Sequence, residues 1–182
     1  MRKLVLKAGR EKSLLRRHPW IFSGGVAQID GSVTAGDTVH VFGGDGKFLA
    51  VAAANPNANI SARVWDWSET TQINTAFFQK RLAAAIDARQ RLHHAKPGEA
   101  DRLVHGESDG LPGLIVDRYA DVVVVQISSA GCARWREAIV EALQHLTSAR
   151  AVYERSDADV MELEGLPQRT GLVAGELAST IV

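Results

Sequence analysis

The chain has 182 residues, of which 46% are hydrophobic and 23% charged, with a formal net charge of zero and one cysteine, Cys132. This is the composition of an ordinary globular protein; it rules out an internal disulfide, and no apolar run approaches the ~20 residues that cross a bilayer as a helix. Zero net charge speaks against indiscriminate nucleic-acid binding, yet the charge is unevenly placed. Residues 1–22 hold seven cations against Glu11 alone, whereas residues 154–182 carry a net charge of −4. Such asymmetry points to a basic binding face at one end. The N-terminus is basic but lacks the apolar core of a signal peptide, and the cysteine count suits a reducing compartment, so a cytoplasmic protein is expected.

The first seventy residues read as short strands and turns. Lys3 to Lys7 alternate as a strand, and residues 10–17 form a short helical stretch. That stretch must end by His18, because Pro19 disfavours helical geometry in the residue before it. Trp20-Ile21-Phe22 is extended and is bent by Gly24-Gly25. Gly36-Asp37 leads into a strand over 38–42, and Asp45-Gly46 turns it tightly into a second over 48–51. Pro56 marks a loop, and residues 60–67 alternate as a last strand. About 65–70 residues spaced in this way fit a small β-barrel.

Residues 77–94 change period. Phe78, Leu82, Ile86 and Arg89 recur at helical spacing, and Pro97-Gly98 stops the helix. Strands follow at 102–105, 113–116 and 122–127, the last a near-continuous run of valines. A helix over 133–146 places Trp135, Ile139, Leu143 and Leu146 on one face. Strands at 151–154, 171–173 and 180–182 complete the chain, whose final residues are apolar and reach no polar tail. A strand cut in its middle is the expectation there.

Four places hold chemistry-bearing residues. His105-Gly106-Glu107-Ser108-Asp109-Gly110 would put two carboxylates on one side if it were a strand, as an acid–base pair needs, and a hydrolase using His105, Glu107 and Asp109 follows from that reading. Ser-Asp-Gly and Leu-Pro-Gly are also strong turn chemistry, with Asp109 tying neighbouring amides, and the turn is the favoured reading. Gly43-Gly44-Asp45-Gly46-Lys47 lacks P-loop spacing and is expected to be a hairpin. Cys132 sits near a helix start but no base can be paired with it, so a core or capping role is expected; one cysteine and the adjacent His93-His94 make a poor zinc site. No glycine fingerprint for a dinucleotide or S-adenosylmethionine follows any strand. The basic segment is the better candidate: Arg10, Lys12, Arg16 and Arg17 can neutralise phosphates and Ser13 and His18 can hydrogen-bond them. Trp20 beside them could stack on a base, although a core position is expected.

The run from Gly9 to Gly24, His105 to Tyr119 with its Gly-Glu-Ser-Asp-Gly-Leu-Pro-Gly core, and the weaker pair Tyr153-Glu154-Arg155-Ser156-Asp157 and Glu164-Gly165-Leu166 together resemble the RlmI family. These are S-adenosylmethionine-dependent methyltransferases that modify cytosine C5 of large-subunit ribosomal RNA through a cysteine thiolate that attacks C6. The resemblance implies an α+β chain, with an N-terminal PUA β-barrel followed by a central strand-strand-helix-strand-strand domain. The implied boundaries are a PUA-like barrel at 1–70, a connecting helix at 71–98 and a central domain at 99–182, truncated at its end. It also implies a Rossmann-like methyltransferase domain whose cofactor motif and catalytic cysteine lie beyond Val182. No catalytic, metal or cofactor residue therefore transfers to this chain. What the resemblance implies is RNA recognition with large-subunit rRNA as partner; the basic segment, through Arg10, Lys12, Ser13, Arg16, Arg17 and His18, is then the natural place for phosphate contacts, and no individual base contact is carried over. No membrane is implied, and self-association through the valine strand and the acidic end is the alternative. Members of the family often carry arginine where this chain has Met161, which puts any substrate contact at that position in doubt.

Overall fold

A computed structural model describes residues 2–92 and 100–177. The expected strand at 180–182, His93-His94 and the Pro97-Gly98 stop lie outside these residues. The chain is α+β, as the sequence led us to expect, and is built on two sheets. The first has six strands: β1 (Lys3–Leu6), β2 (Trp20–Phe22), β3 (Val26–Ile29), β4 (Thr38–Phe42), β5 (Phe48–Ala54) and β6 (Ile60–Asp66). A single helical turn, α1 (Lys12–Leu15), lies between β1 and β2. The strand order is β2-β6-β5-β4-β1-β3, with β1 and β4 parallel and every other neighbouring pair antiparallel.

That order dictates a shape. β2 and β3 stand at opposite edges, yet only the 3-10 turn Ser23–Gly25 separates them in the chain. The sheet must curl until its edges approach, and its concave side closes over Leu4, Leu6, Val39, Val41, Ala50, Ala52 and Val64. Leu14 of α1 plugs this core, which is why so short a helix holds its place without intrinsic stability of its own. β3 was not foreseen in the sequence. Its Val-Ala-Gln-Ile has no alternation to show, and it becomes a strand only by pairing with β1, Leu4 opposite Ile29.

Helix α2 (Thr75–Leu92) begins two residues before the expected start, because Asn74 Oδ1 accepts the Phe77 N–H at 3.0 Å and caps it. The second sheet comprises β7 (Ala100–His105), β8 (Leu114–Tyr119), β9 (Val122–Ile127), β10 (Ala151–Ser156) and β11 (Arg169–Gly175), ordered β11-β10-β9-β8-β7. β8, β9, β10 and β11 with the intervening helix follow the strand-strand-helix-strand-strand plan, and β7 adds an edge strand to it. β9 and β10 are parallel, joined by a crossover containing α3 (Ala130–Arg134) and α4 (Arg136–Thr147). The sequence led us to expect one helix there. Ser129 caps a turn earlier than anticipated, accepting from Cys132 N at 3.3 Å, and Trp135 leaves helical geometry (φ −102°, ψ 14°) with its ring packed on Phe78 at 5.2 Å.

One face of this sheet is covered by α2 and α4, with Phe78, Leu82, Ile139 and Leu143 against Leu114, Val116, Val123 and Val125. Ile115, Val122, Val124 and Tyr153 are half-buried on the other face. A last helix, α5 (Val160–Glu164), precedes β11.

The two sheets dock because β5 and β6 are two-sided. Ala52, Ala54, Ala62 and Val64 point into the barrel, whereas Ala53 and Trp65 belong to the second core beside Phe77 and Phe78; the alternation is the ordinary period of a strand. Gly131 of α3 is pressed so close that a Cβ there would stand 2.5 Å from Ala53 Cβ and 2.7 Å from the Trp65 ring. Polar ties ring this apolar contact: Arg63 with Glu164 at 2.6 Å, Asn55 Nδ2 with the Glu164 carbonyl at 2.9 Å, Arg134 with Asp37 at 3.3 Å, and Arg81 with Asp66.

Candidate nucleic-acid interface

Elementary packing exposes the basic segment. α1 buries Leu14 and turns everything else outward, so Arg10, Lys12, Ser13, Arg16, Arg17 and His18 are all exposed on one continuous corner of the barrel. Among the described residues, Arg10, Lys12 and Arg16 have no acidic partner. The remaining N-terminal cations are more committed: Arg2 pairs with Asp37 at 2.9 Å, Lys7 Nζ donates to the Gly24 carbonyl at 3.0 Å, and Lys3 lies over the Phe42 ring. The +6 of the first 22 residues thus resolves into structural cations and an exposed cluster on and around α1.

Two members of the cluster are held in place. Arg17 ends α1 in the left-handed region (φ 64°), a strained conformation for a residue with a side chain, and its guanidinium lies 4.8 Å over the Trp67 ring. His18 Nδ1 accepts the Trp20 N–H at 3.2 Å, so the neutral ring carries its proton on Nε2, where it is a donor. Trp20 itself is half-buried rather than in the core. Its strand explains why: Ile21 is 2% exposed and faces the barrel core, so Trp20 and Phe22 face outward.

The acidic loop is architectural. Residues 106–109 form a 3-10 turn, Gly110 follows at φ 68° and Gly113 at φ 79°. A Cβ on Gly113 would meet the Ser129 side chain at 2.5 Å, so glycine is demanded by space as well as by backbone. Asp109 takes both nitrogens of Arg89, at 2.8 and 2.7 Å, and the His105 N–H at 2.6 Å. Glu107 instead accepts the Trp20 indole N–H at 2.7 Å. The two carboxylates are committed to different partners and share no strand face, which removes the basis for an acid–base pair.

The other candidates also resolve. Gly43 to Lys47 is the β4–β5 hairpin, closed by Gly43 N to the Lys47 carbonyl at 2.9 Å and by Asp45 on the Lys47 N–H at 3.1 Å. Cys132 is fully buried with its thiol on the Pro112 carbonyl at 3.3 Å, and burial pushes the thiol up to about 12, which leaves no thiolate at neutral pH. Met161 is 2% exposed and packs inside, so it presents no contact surface. Among the described residues no group of three or more His, Cys, Asp or Glu could hold a metal ion, and no helix is long and apolar enough to cross a membrane.

S-adenosylmethionine is held, in Rossmann-type folds, where a parallel strand runs into a helix. Here that place is the β9–α3 turn. Its amides are already taken, Ala130 N by Glu164 Oε2 at 3.3 Å and Cys132 N by Ser129 Oγ, and Gly131 is closed off by Ala53 and Trp65. The residues of that turn do not fit the cofactor.

Of the pair Tyr153 to Asp157 and Glu164 to Leu166, the residues Glu154, Ser156 and Glu164 are interior. Glu154, 2% exposed, takes Arg136 at 2.6 Å and the Ser156 hydroxyl at 2.9 Å, while Ser156 Oγ also accepts the Ile127 N–H at 2.9 Å. Glu164, with Arg63 and Asn55, braces the two sheets. Sequence reasoning missed this brace; the one signal for it was a charged residue, Arg63, inside an otherwise apolar alternating strand.

Comparison with known proteins agrees with this architecture. Residues 4–67 match the family described as a PUA-like domain. The chain is 44% identical over 180 residues to the ribosomal RNA large subunit methyltransferases I of Yersinia pseudotuberculosis and Yersinia pestis. The match takes in 99% of this chain and 46% of theirs, so the chain spans about half the length of these relatives. In structure it superposes on a candidate SAM-dependent methyltransferase from Streptococcus mutans with a TM-score of 0.78 at 20% identity, over 98% of this chain and 44% of the other. A candidate methyltransferase complexed with SAH superposes with a TM-score of 0.79, also at 20% identity. At that identity the likeness establishes the fold. Nearly the whole of this chain is thus a close homologue of part of the ribosomal RNA large subunit methyltransferases I, with a PUA-like domain at its N-terminus.

Proposed function

We propose that this chain is the RNA-recognising portion of an rRNA (cytosine-C5) methyltransferase, with Arg10, Lys12, Ser13, Arg16, Arg17 and His18 gripping the phosphate backbone. The observation that carries the reading is the exposed cationic corner around α1, set on a PUA-like barrel in a chain 44% identical to rRNA methyltransferases. On this reading the barrel at 1–70 supplies the grip, a connecting segment at 71–98 that contains α2 joins it, and the central domain at 99–182, which contains the second sheet, carries it. Methyl transfer and the S-adenosylmethionine site belong, on this reading, to the remainder of a longer cytoplasmic protein. The chain by itself binds RNA and methylates nothing.

The test is a titration of a single-stranded ribosomal RNA fragment at 50 and 200 mM salt. Four phosphate contacts on a single strand give a log–log salt slope of about −3, hence roughly a 50-fold loss of affinity over that range. Replacing Arg16 and Arg17 together with alanine should reduce the slope by about 1.4. Equal affinity at both salts, or an unchanged slope in the double variant, refutes the reading.

A further inference from the structure

Beside the cationic corner lies a cleft of about 240 Å3, lined by Arg10, Ser13, Leu14, Trp20, Phe22 and Gly25 among others. It is smaller than the ~300 Å3 at which drug-sized pockets begin, but a single planar ring fits it. Trp20 is half-buried, Phe22 is 46% exposed, and the two rings meet edge to face with centroids 6.2 Å apart. Neither serves the barrel core, which takes Ile21 between them. Arg10 and Ser13 stand at the rim with side chains that have no partner among the described residues.

The indole is held from two sides. Its N–H is fixed by Glu107 at 2.7 Å, from the turn after β7, and His18 packs on it edge to face at 5.8 Å. An aromatic wall that is rigid before binding, open on one side and adjacent to free cations is the arrangement that stacks a base while the backbone is held by charge. We infer that this cleft takes one unpaired RNA base, stacked against Trp20 and Phe22 with Arg10 and Ser13 at its edge. Glu107 is a positioning residue that acts through the indole. The inference rests on the RNA-binding reading above and adds its substrate class: single-stranded or bulged RNA, engaged through a base as well as through phosphate. It also gives the acidic loop a role that joins the second sheet to the RNA.

The experiment compares two probes on the full chain: a short single-stranded RNA of mixed sequence, and inorganic polyphosphate, which has charge and no base. Trp20→Leu should weaken RNA binding about 5- to 150-fold, the range for one stacked base, and leave polyphosphate binding unchanged. Glu107→Ala should give part of that loss, and Glu107→Gln should restore it, since its side-chain oxygen still accepts the indole N–H. RNA should quench tryptophan fluorescence in the native chain and markedly less in Trp20→Phe. If Trp20→Leu does not fold, the same RNA carrying abasic positions replaces it as probe of the native chain, with the same fold loss expected. Equal loss for RNA and polyphosphate, no loss for either, or abasic RNA binding as tightly as the parent overturns the base pocket while leaving phosphate recognition standing. Failure of the native chain to bind either probe overturns both.

Discussion

Removing the carboxylate of Glu164 tests how the two sheets are held together. Glu164 is 5% exposed and Arg63 8% exposed. Its carboxylate meets Arg63 at 2.6 Å, Asn55 Nδ2 at 3.2 Å and Ala130 N at 3.3 Å. Glu164→Ala leaves the guanidinium buried and uncompensated, which costs about 3–5 kcal/mol, and frees the Ala130 amide at a further ~1 kcal/mol. Asn55 is spared, because its amide keeps the Glu164 backbone carbonyl at 2.9 Å. Together the two costs come to about 5 kcal/mol, a large part of the 5–15 kcal/mol typical of a folded domain. With a urea slope of about 2 kcal/mol/M, the midpoint should fall by about 2.5 M. Glu164→Gln, which keeps an acceptor but no charge, should lose about half as much. The double variant Arg63→Met with Glu164→Leu removes both charges and their desolvation together, and should return to within about 1–2 kcal/mol of the parent. Equilibrium urea unfolding followed by far-UV circular dichroism reads these chains together with the singles Arg63→Met and Glu164→Leu. A loss below ~1 kcal/mol in Glu164→Ala, or a double variant as unstable as the sum of its singles, would refute the idea that this ion pair is buried and coupled.

Two further expectations are independent of that brace. Burial would raise the Asp37 carboxyl, but the Thr34 amide and hydroxyl, both at 2.9 Å, together with Arg134 and Arg2 outweigh it and hold the group below its ordinary value. Its folded pKa is thus the lower one, so its contribution is present above the unfolded value of ~4 and is lost as pH falls below that. Urea midpoints measured between pH 7 and 3 should drop on the acid side, and the drop should be smaller in Asp37→Asn; an identical acid limb would be the contrary result. Cys132, buried with its thiol held up at about 12, should resist a disulfide reagent in the native chain and react fully in denaturant. Complete labelling of native protein within seconds would show that the site opens far more readily than its packing implies.

Much of the fold was legible because local rules and the final structure agree. α1 stops before Pro19, although it spans only Lys12–Leu15 of the expected 10–17, Asp45-Gly46 makes its hairpin, and the valines of β9 lie where their pattern puts them. Failures came where a neighbour from far along the chain decided the matter. β3 carries no strand pattern and exists by pairing with β1. The expected helix at 133–146 breaks at Trp135, whose ring packs on Phe78 of α2. Trp20 reads as core in its own segment, and it is the alternation around Ile21, with Glu107 from 87 residues away, that turns it outward and holds it.

The candidate site divides in the same way. Which residues are cationic, and that they crowd around one short helix, is written in the order of residues 10–18, because charge and exposure there depend on a single buried anchor, Leu14. The sequence also contains the turn chemistry of residues 105–113 in full, since positive φ at Gly110 and Gly113 is a local demand. What only the tertiary structure decided is where each carboxylate goes. Glu107 and Asp109 are two residues apart and chemically alike, but one meets an indole on the barrel and the other a guanidinium on α2. Burial leaves a charged group few partners, and which one arrives is settled by how the two sheets dock, through contacts that no local pattern encodes.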